Sequence, residues 1–454
     1  MIFQSVGELD ENLISVVSLS DEDIEVKDVE KLKEFGIDYL VYSAVLSDDP
    51  QVRHLCRVYI RKIAKSFGVF PASIHALYKA FGTNEVSGFT VPAMNVRTLT
   101  YDVAREVFKK EIAHQTSAFI FEISRSEMKY TAQTQDEVAV CVLAAAIKEG
   151  YSGPVFLQGD HFQFDVKKFK EYPQGQIDEI ELSVKDSLAA GFYNIDIDAS
   201  TLVDLSLPTK DEQQKDNFEM TSLLTKFIRS MQPAGTTVAI GGEIGHIGDT
   251  NSDVEDFEAF MRGYLEELDS NNLDIISKVS VQTGTTHGGV PNADGTLASV
   301  DVDFNVLKSI GEVARSKYGL GGPVQHGAST LPNELFDKFP EAGTVEIHLA
   351  TGFQNIIYDT MPESLREKLY SYCREHFESE KEEGWTDEQF VYKTRKKAFG
   401  PHKKDMWLLS EDDKNTIRKA LSEEFEILFQ KLNIVGTAHT VRKYIGENTA
   451  LIND

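Results

Sequence analysis

Cysteine is scarce in this chain of 454 residues, which holds only Cys56, Cys141 and Cys373. The number is odd and no CxxC pair occurs, which argues against a disulfide framework or a thiolate zinc site and makes a reducing cytoplasm the expected location. Basic charge is also short: 46 Lys and Arg stand against 73 Asp and Glu, a net charge of −27. Such a surface suits neither non-specific nucleic-acid binding nor an anionic membrane, so neither partner is expected. An anionic small substrate stays possible, because a metal and a few lysines set the field inside a cleft. No apolar run approaches the ~20 residues of a membrane helix, and the N-terminal Met1-Ile-Phe-Gln-Ser-Val-Gly-Glu8 lacks the basic region and long apolar core of an export signal. There is no internal repeat, no low-complexity linker and no GxGxxG after the first strand, the last of which argues against an open dinucleotide-binding sheet.

From Gly88 onward, short β-like runs alternate with longer helical patterns, the signature of parallel strands joined by crossover helices. Strands are expected at 89–96, 118–123, 154–158, 194–198, 236–241, 278–282, 323–325 and 344–348. Helices are expected from 100, at 135–149, at 177–190, up to about 231, and at 253–268, 303–318, 332–339 and 355–358. Eight such pairs predict an α/β fold of the closed (β/α)8 TIM-barrel type, for which about 250 residues is the usual size. The barrel is expected over 86–360, with an N-terminal helical extension over 1–85 and a C-terminal helical extension over 361–454. The first extension reads as helices at 28–35, 50–67 and 71–81 and carries no evident chemistry; His54 and His75 read as structural. The second turns strongly acidic over 375–388, then gathers Lys393, Arg395, Lys396, Lys397, His402, Lys403 and Lys404. That cluster either reaches an anionic substrate or balances the acidic run before it.

The chemistry gathers after the strands. Val155-Phe-Leu-Gln-Gly-Asp-His-Phe-Gln163 sets Asp160 and His161 side by side at the end of an apolar run. His287 and His326 follow two later strands, each with a glycine next to it, Gly288 and Gly327. Three neutral imidazoles with an open fourth position make a catalytic zinc site. Asp160, expected to point away from His161, is the candidate acid or base, or else it orients a ligand. Glu243 is a fourth ligand or a partner to a histidine. The segments Thr283-Gly-Thr-Thr-His-Gly-Gly289 and His326-Gly-Ala-Ser-Thr330 offer backbone N–H groups and hydroxyls suited to phosphate. Alternating acids in Asn194-Ile-Asp-Ile-Asp198 suggest one face turned toward the same place.

Together these residues resemble the class II, zinc-dependent fructose- and tagatose-bisphosphate aldolases, as a divergent member. The HxDH motif of that family reads Gln158-Gly-Asp160-His161 here, and its ExELGxxGG signature reads Gly241-Gly-Glu243-Ile-Gly-His-Ile-Gly248. The later zinc segments read Thr285-Thr-His287-Gly and His326-Gly-Ala-Ser-Thr-Leu-Pro332, the strand 1 asparagine maps to Asn95 and the strand 2 serine to Ser124. A weaker echo runs from Lys396 through His402 to Trp407. The resemblance implies Zn2+ held by His161, His287 and His326 with Glu243 nearby. It also implies proton exchange at Asp160, substrate contact at Asn95 and Ser124, phosphate bound by Gly288, Gly327 and Ser329, and a possible monovalent cation. A homo-oligomer, dimer or tetramer, is expected.

Departures are concentrated around the phosphates. The loop glutamate of the family falls near Asn251, with Asp249, Asp253 or Glu255 as substitutes; the strand 8 motif reads Glu346-Ile-His348-Leu349; a lysine is missing around Val290-Pro291; and an arginine reads His402. Glu346 and His348 are therefore expected to face the substrate, where a glutamate would repel phosphate. The expected function is reversible aldol cleavage of a ketose phosphate or bisphosphate such as fructose 1,6-bisphosphate. The alternatives are a metal-dependent epimerase or isomerase of an unphosphorylated sugar acid and a non-catalytic aldolase-like subunit.

Overall fold

The computed structural model describes residues 1–19, 24–245, 250–268, 273–284, 292 and 302–446. Eight parallel strands follow one another around a ring: β1 Val91–Asn95, β2 Ile120–Ser124, β3 Gly153–Gln163, β4 Asn194–Asp198, β5 Ala239–Glu243, β6 Lys278–Val281, β7 Pro323–Gln325 and β8 Glu346–Leu349. Pairing of Glu346–Leu349 with Val91–Met94 closes the ring. This is the (β/α)8 barrel that the alternation predicts. The strands are buried on both faces, because helices cover the outside and side chains fill the inside.

The crossover helices are α1 Thr100–His114, α2 Gln135–Glu149, α3 Pro173–Ala190, α4 Lys210–Met231, α5 Val254–Leu268, α6 Phe304–Tyr318, α7 Lys338–Glu341 and α8 Thr351–Thr360. Helix α2 is apolar on every side from Val138 to Ile147 and is buried throughout that stretch, as an all-round apolar helix must be. The N-terminal helices Ile37–Leu46 and Pro50–Ser66 cover its outer side. The seventh helix is shorter than the expected 332–339. A single 3-10 turn, Asn333–Leu335, precedes the four-residue α7, which itself contains Pro340, a residue without a backbone donor.

Residues 69–72 differ most from expectation. Pro71 was expected to open a helix, but Val69–Ala72 is a strand, paired in parallel with Gly153–Phe156 at the start of β3. The cause lies in β3, which begins five residues before its ladder with β4 starts at Gln158↔Asn194. That bare edge needs a partner. Asn194 locks the addition, accepting from Ile74 N–H at 2.9 Å and donating to the Ala72 carbonyl at 3.2 Å. The helix His75–Gly82 follows and carries Tyr78, fully buried, under the barrel.

After Pro362 the chain is helical again, and the helix Glu411–Lys431 packs on α1 and α8. Arg418 from that helix pairs with Asp102 of α1 at 2.5 Å, both buried. Among the described residues no helix is long and apolar enough to cross a membrane.

Candidate active site

A bulge in β3 builds the centre of the site. Gly159 pairs with Ile195 and Phe162 with Ile197, so Asp160 and His161 together oppose the single residue Asp196. Strand alternation would send neighbours to opposite faces; the extra residue, with His161 at φ 43°, turns both side chains to the barrel mouth instead. Asp160 therefore does not point away from His161, as expected from an unbroken strand. Both line one cavity, with 3.8 Å between His161 Nε2 and Asp160 Oδ1. The bulge needs the glycine before it, since a Cβ on Gly159 would fall 2.5 Å from the Phe162 ring. Gly159→Ala is expected to lose metal affinity by at least tenfold, the order seen when ligand-orienting groups are removed, in a Zn2+ titration of chelator-stripped protein.

Three sequence-predicted ligands meet at this mouth. Ligand atoms of His161, Glu243 and His326 all lie within 4.8 Å of one another. His161 Nδ1 is 3.3 Å from one Glu243 oxygen and His326 Nδ1 is 3.5 Å from the other. The imidazole rings of His161 and His326 are 4.2 Å apart. Two imidazoles and a carboxylate on separate strands are a donor set that fits zinc and leaves positions for substrate. His287 and Gly288 lie outside the described residues. Asp198, at the end of the alternating-acid strand, holds His161 Nδ1 at 3.0 Å and is itself fixed by the Ser200 hydroxyl, the kind of orienting partner that metal-site histidines use. Burial works against charge on His161, but Asp160 and Glu243 hold its pKa well above the usual range.

Beneath the mouth lies a layer of buried charge. Lys278 Nζ donates to Gln158 at 2.8 Å, to Asp196 at 3.0 Å and to Glu346. Tyr78 Oη also donates to Glu346, and Gln158 Nε2 reaches Glu346 at 2.8 Å and Glu122 at 3.0 Å. His348 caps the layer: its Nε2 is 2.7 Å from Glu346, and its Nδ1 is 3.1 Å from Asp160 and 3.2 Å from Glu122. Burial raises the Glu122 carboxyl to about 7 and the Asp196 carboxyl to about 6, while Glu346, although buried, is held low by Lys278 and His348.

This layer alters the expectation for strand 8. His348 lines the cavity, as expected, but Glu346 is 0 % exposed and faces Lys278 inside the barrel, away from any substrate. Its charge is matched within the protein. Tyr78, Glu122, Gln158 and Lys278 carry no role in the sequence reading; for the last three, a charged or amide side chain interrupting a short apolar strand was the available signal, whereas Asp196 belongs to the alternating acids already expected to face the site.

The cavity above has a volume of about 560 Å³. Asn95, Ser124, Gly327 and Ser329, all expected near substrate, line it. Ser124 also caps the helix Arg125–Thr131 by accepting from Glu127 N–H at 3.3 Å. Asn95 donates to Glu127, while its Oδ1 is buried without a partner. Gly327, at φ 71°, starts the turn Ala328–Thr330, which abuts the beginning of α8, where Ala350 and Thr351 join the wall. At another side stand Arg97, Lys393 and Lys396. Arg97 is fixed by Glu127 at 2.8 Å and by Gln354 at 2.8 Å. Lys396 makes no ion pair or hydrogen bond among the described residues, and burial followed by repulsion from Arg97 lowers its pKa. Asn251, Asp253, Glu255 and His402 do not line the cavity; Asp253 pairs with Lys210, and His402 Nδ1 lies 2.8 Å from Asp405. Asp249 and Val290-Pro291 lie outside the described residues.

Comparison with known proteins agrees with this architecture. Fructose-bisphosphate aldolase of Campylobacter jejuni is 20 % identical with a TM-score of 0.48, over 81 % of this chain and 96 % of that one. The YdjI aldolase of Escherichia coli K12 is 13 % identical with a TM-score of 0.48, over 81 % and 99 %. A Sinorhizobium meliloti 1021 protein described as "a probable tagatose 6 phosphate kinase" is 13 % identical with a TM-score of 0.53, over 80 % and 96 %, and supports the fold. The search among curated proteins found no match. The model of the family described as fructose-bisphosphate aldolase class-II matches residues 76–426, from the helix that carries Tyr78 to the helix that packs on α1, and the chain belongs to that family.

Proposed function

We propose that this protein is a zinc-dependent lyase that cleaves a phosphorylated ketose, fructose 1,6-bisphosphate or a close relative, by a reversible aldol reaction. The observation that carries the reading is the meeting of His161, Glu243 and His326 with Asp160 at the barrel mouth. Zinc held by His161, His326 and the predicted His287, with Glu243 alongside, would supply Lewis-acid polarisation of the ketose carbonyl.

Asp160 takes the proton from the hydroxyl on the carbon that becomes the aldehyde. The C–C bond then breaks, its electron pair stays on the ketose-derived fragment, and water protonates that carbanion while Asp160 returns its proton to the hydroxide left behind, so that no net proton is gained or lost. Asp160 enters the step ionised, because despite burial His161 and His348 hold its carboxyl below the usual range; its claim to the proton rests on its place beside His161 in the cavity. One phosphate sits at Gly327, Ser329 and the N-terminus of α8, where backbone N–H groups are unpaired by the helix. The other anionic end meets Lys396 and Arg97.

The reading is tested by supplying ketose mono- and bisphosphates and unphosphorylated sugar acids to zinc-loaded protein in a coupled assay. Chelator-sensitive cleavage of a phosphorylated ketose is expected; turnover of uronates alone would favour the epimerase alternative. Lys396→Met is expected to raise KM for the bisphosphate about tenfold or more, since a charge-assisted hydrogen bond is worth about 1.5–3 kcal/mol, and to leave metal content unchanged. Equal KM values for the variant and parent would exclude Lys396 from substrate contact.

A further inference from the structure

We infer that His348 is a positioning residue for Asp160: its imidazole grips one oxygen of that carboxylate and leaves the other aimed at the hydroxyl to be deprotonated. The inference deepens the aldolase reading and rests on it for the role of Asp160.

Asp160 needs an external hold. Pairing with Ser124 in the parallel ladder of β2 and β3 sets its main chain, but the carboxylate still turns about χ1 and χ2. The hydrogen bond it makes among the described residues is with His348 Nδ1, at 3.1 Å. His161 Nε2, at 3.8 Å, is too far for a second. Both approaches use Oδ1, so Oδ2 is left for substrate. A displacement of about 1 Å at a reacting group can cost about 10²-fold in rate, so the hold on that carboxylate bears directly on the chemistry.

His348 is itself held from the other side. It is 6 % exposed, and its ring meets that of His326 edge to face with centroids 4.1 Å apart. Its Nε2 lies 2.7 Å from Glu346 Oε1, and Glu346 is in turn fixed by Lys278, Tyr78 and Gln158. Carboxylate oxygens accept, so both ring nitrogens donate. A half-turn of the ring about χ2 would put carbon atoms where the nitrogens stand and break both bonds.

Glu122 Oε2 stands 3.2 Å from the same Nδ1, but it also receives Gln158 Nε2 at 3.0 Å. Loss of His348 therefore leaves Glu122 a donor and leaves Asp160 none among the described residues. The buried layer of Tyr78, Lys278 and Glu346 thereby has a use beyond stability: it sets the direction of a carboxylate that works one level above it.

The test uses the zinc-loaded full chain and fructose 1,6-bisphosphate. In His348→Gln the amide nitrogen takes the place of Nε2, keeping Glu346 and releasing Asp160; in His348→Asn it takes the place of Nδ1 and keeps Asp160. The Gln variant is expected to lower kcat by about 10²-fold, with KM within about threefold of the parent and zinc per chain unchanged. The Asn variant should recover about tenfold of that loss. Added to Asp160→Asn, the Gln change should slow the enzyme no further, because a positioning effect vanishes with the group it positions. Crystal structures of the parent and both variants should show the Asp160 carboxylate turned from its parental direction in the Gln variant alone. Equal kcat in the Gln variant and the parent, the same slowing with and without the Asp160 carboxylate, or an unmoved carboxylate would overturn the inference and leave the aldolase reading standing. If the parent cleaves no phosphorylated ketose, that reading fails, and the direction of the carboxylate in the crystal structures still decides whether His348 holds it. Where a thermal melt shows the Gln variant unfolded, His348→Ala replaces it with the same expected results.

Discussion

Asp160→Asn is expected to lower kcat for aldol cleavage by about 10²- to 10⁴-fold, the usual contribution of a positioned acid–base group, while at least one zinc per chain is retained. The amide keeps the shape of the carboxylate and its place in the β3 bulge but cannot accept the hydroxyl proton. KM should change little, because the proton transfer belongs to the transition state and not to ground-state binding. The check is steady-state kinetics on a phosphorylated ketose together with elemental analysis of the same sample. A rate within a factor of three of the parent, with metal in place, would assign the proton to another group. A loss of rate accompanied by loss of all metal would instead make Asp160 a ligand-positioning residue.

The second large effect concerns stability. Lys278→Met should destabilise the fold by about 3–5 kcal/mol, because removing one partner of a buried ion pair leaves the remaining charge uncompensated. Here Glu346 and Asp196 both lose their ammonium, and neither has access to water: their side chains are 0 % and 7 % exposed. Lys278→Met combined with Glu346→Gln should recover part of the loss, since a neutral pair in a packed interior is often tolerated better than a lone charge. Denaturant unfolding of the parent, single and double variants measures both numbers. A single variant as stable as the parent would mean that Glu346 and Asp196 take up protons instead.

Tyr78 shows why this layer was hard to foresee. Its helix lies outside the eight β/α pairs, in a segment whose sequence carries no chemical motif, and its hydroxyl reaches Glu346 only because the strand Val69–Ala72 pins that segment beneath the barrel. Lys278 gives a local signal, a charge opening a buried strand, but nothing near it in the sequence names Glu346 or Asp196 as its partners.

The reach of the sequence itself was nonetheless long. The eight strands were legible because apolar runs bounded by glycine, proline and polar residues are a local property, and strict β/α alternation leaves few ways to arrange them. The grouping of His161, Glu243 and His326 at one mouth was legible because metal chemistry restricts residue type, and each sits at a strand end. Boundaries shifted by a few residues where backbone pairing, not composition, set the limit: β3 runs on to Gln163 and β5 to Glu243. Only the tertiary structure decided the directions of side chains. It turned Asp160 and His161 to one cavity through a bulge that needs Gly159, and it drew Glu346 inward to Lys278, away from substrate. Such directions depend on register and on charges met across the barrel, which are contacts between residues far apart in the chain, and no local pattern encodes them.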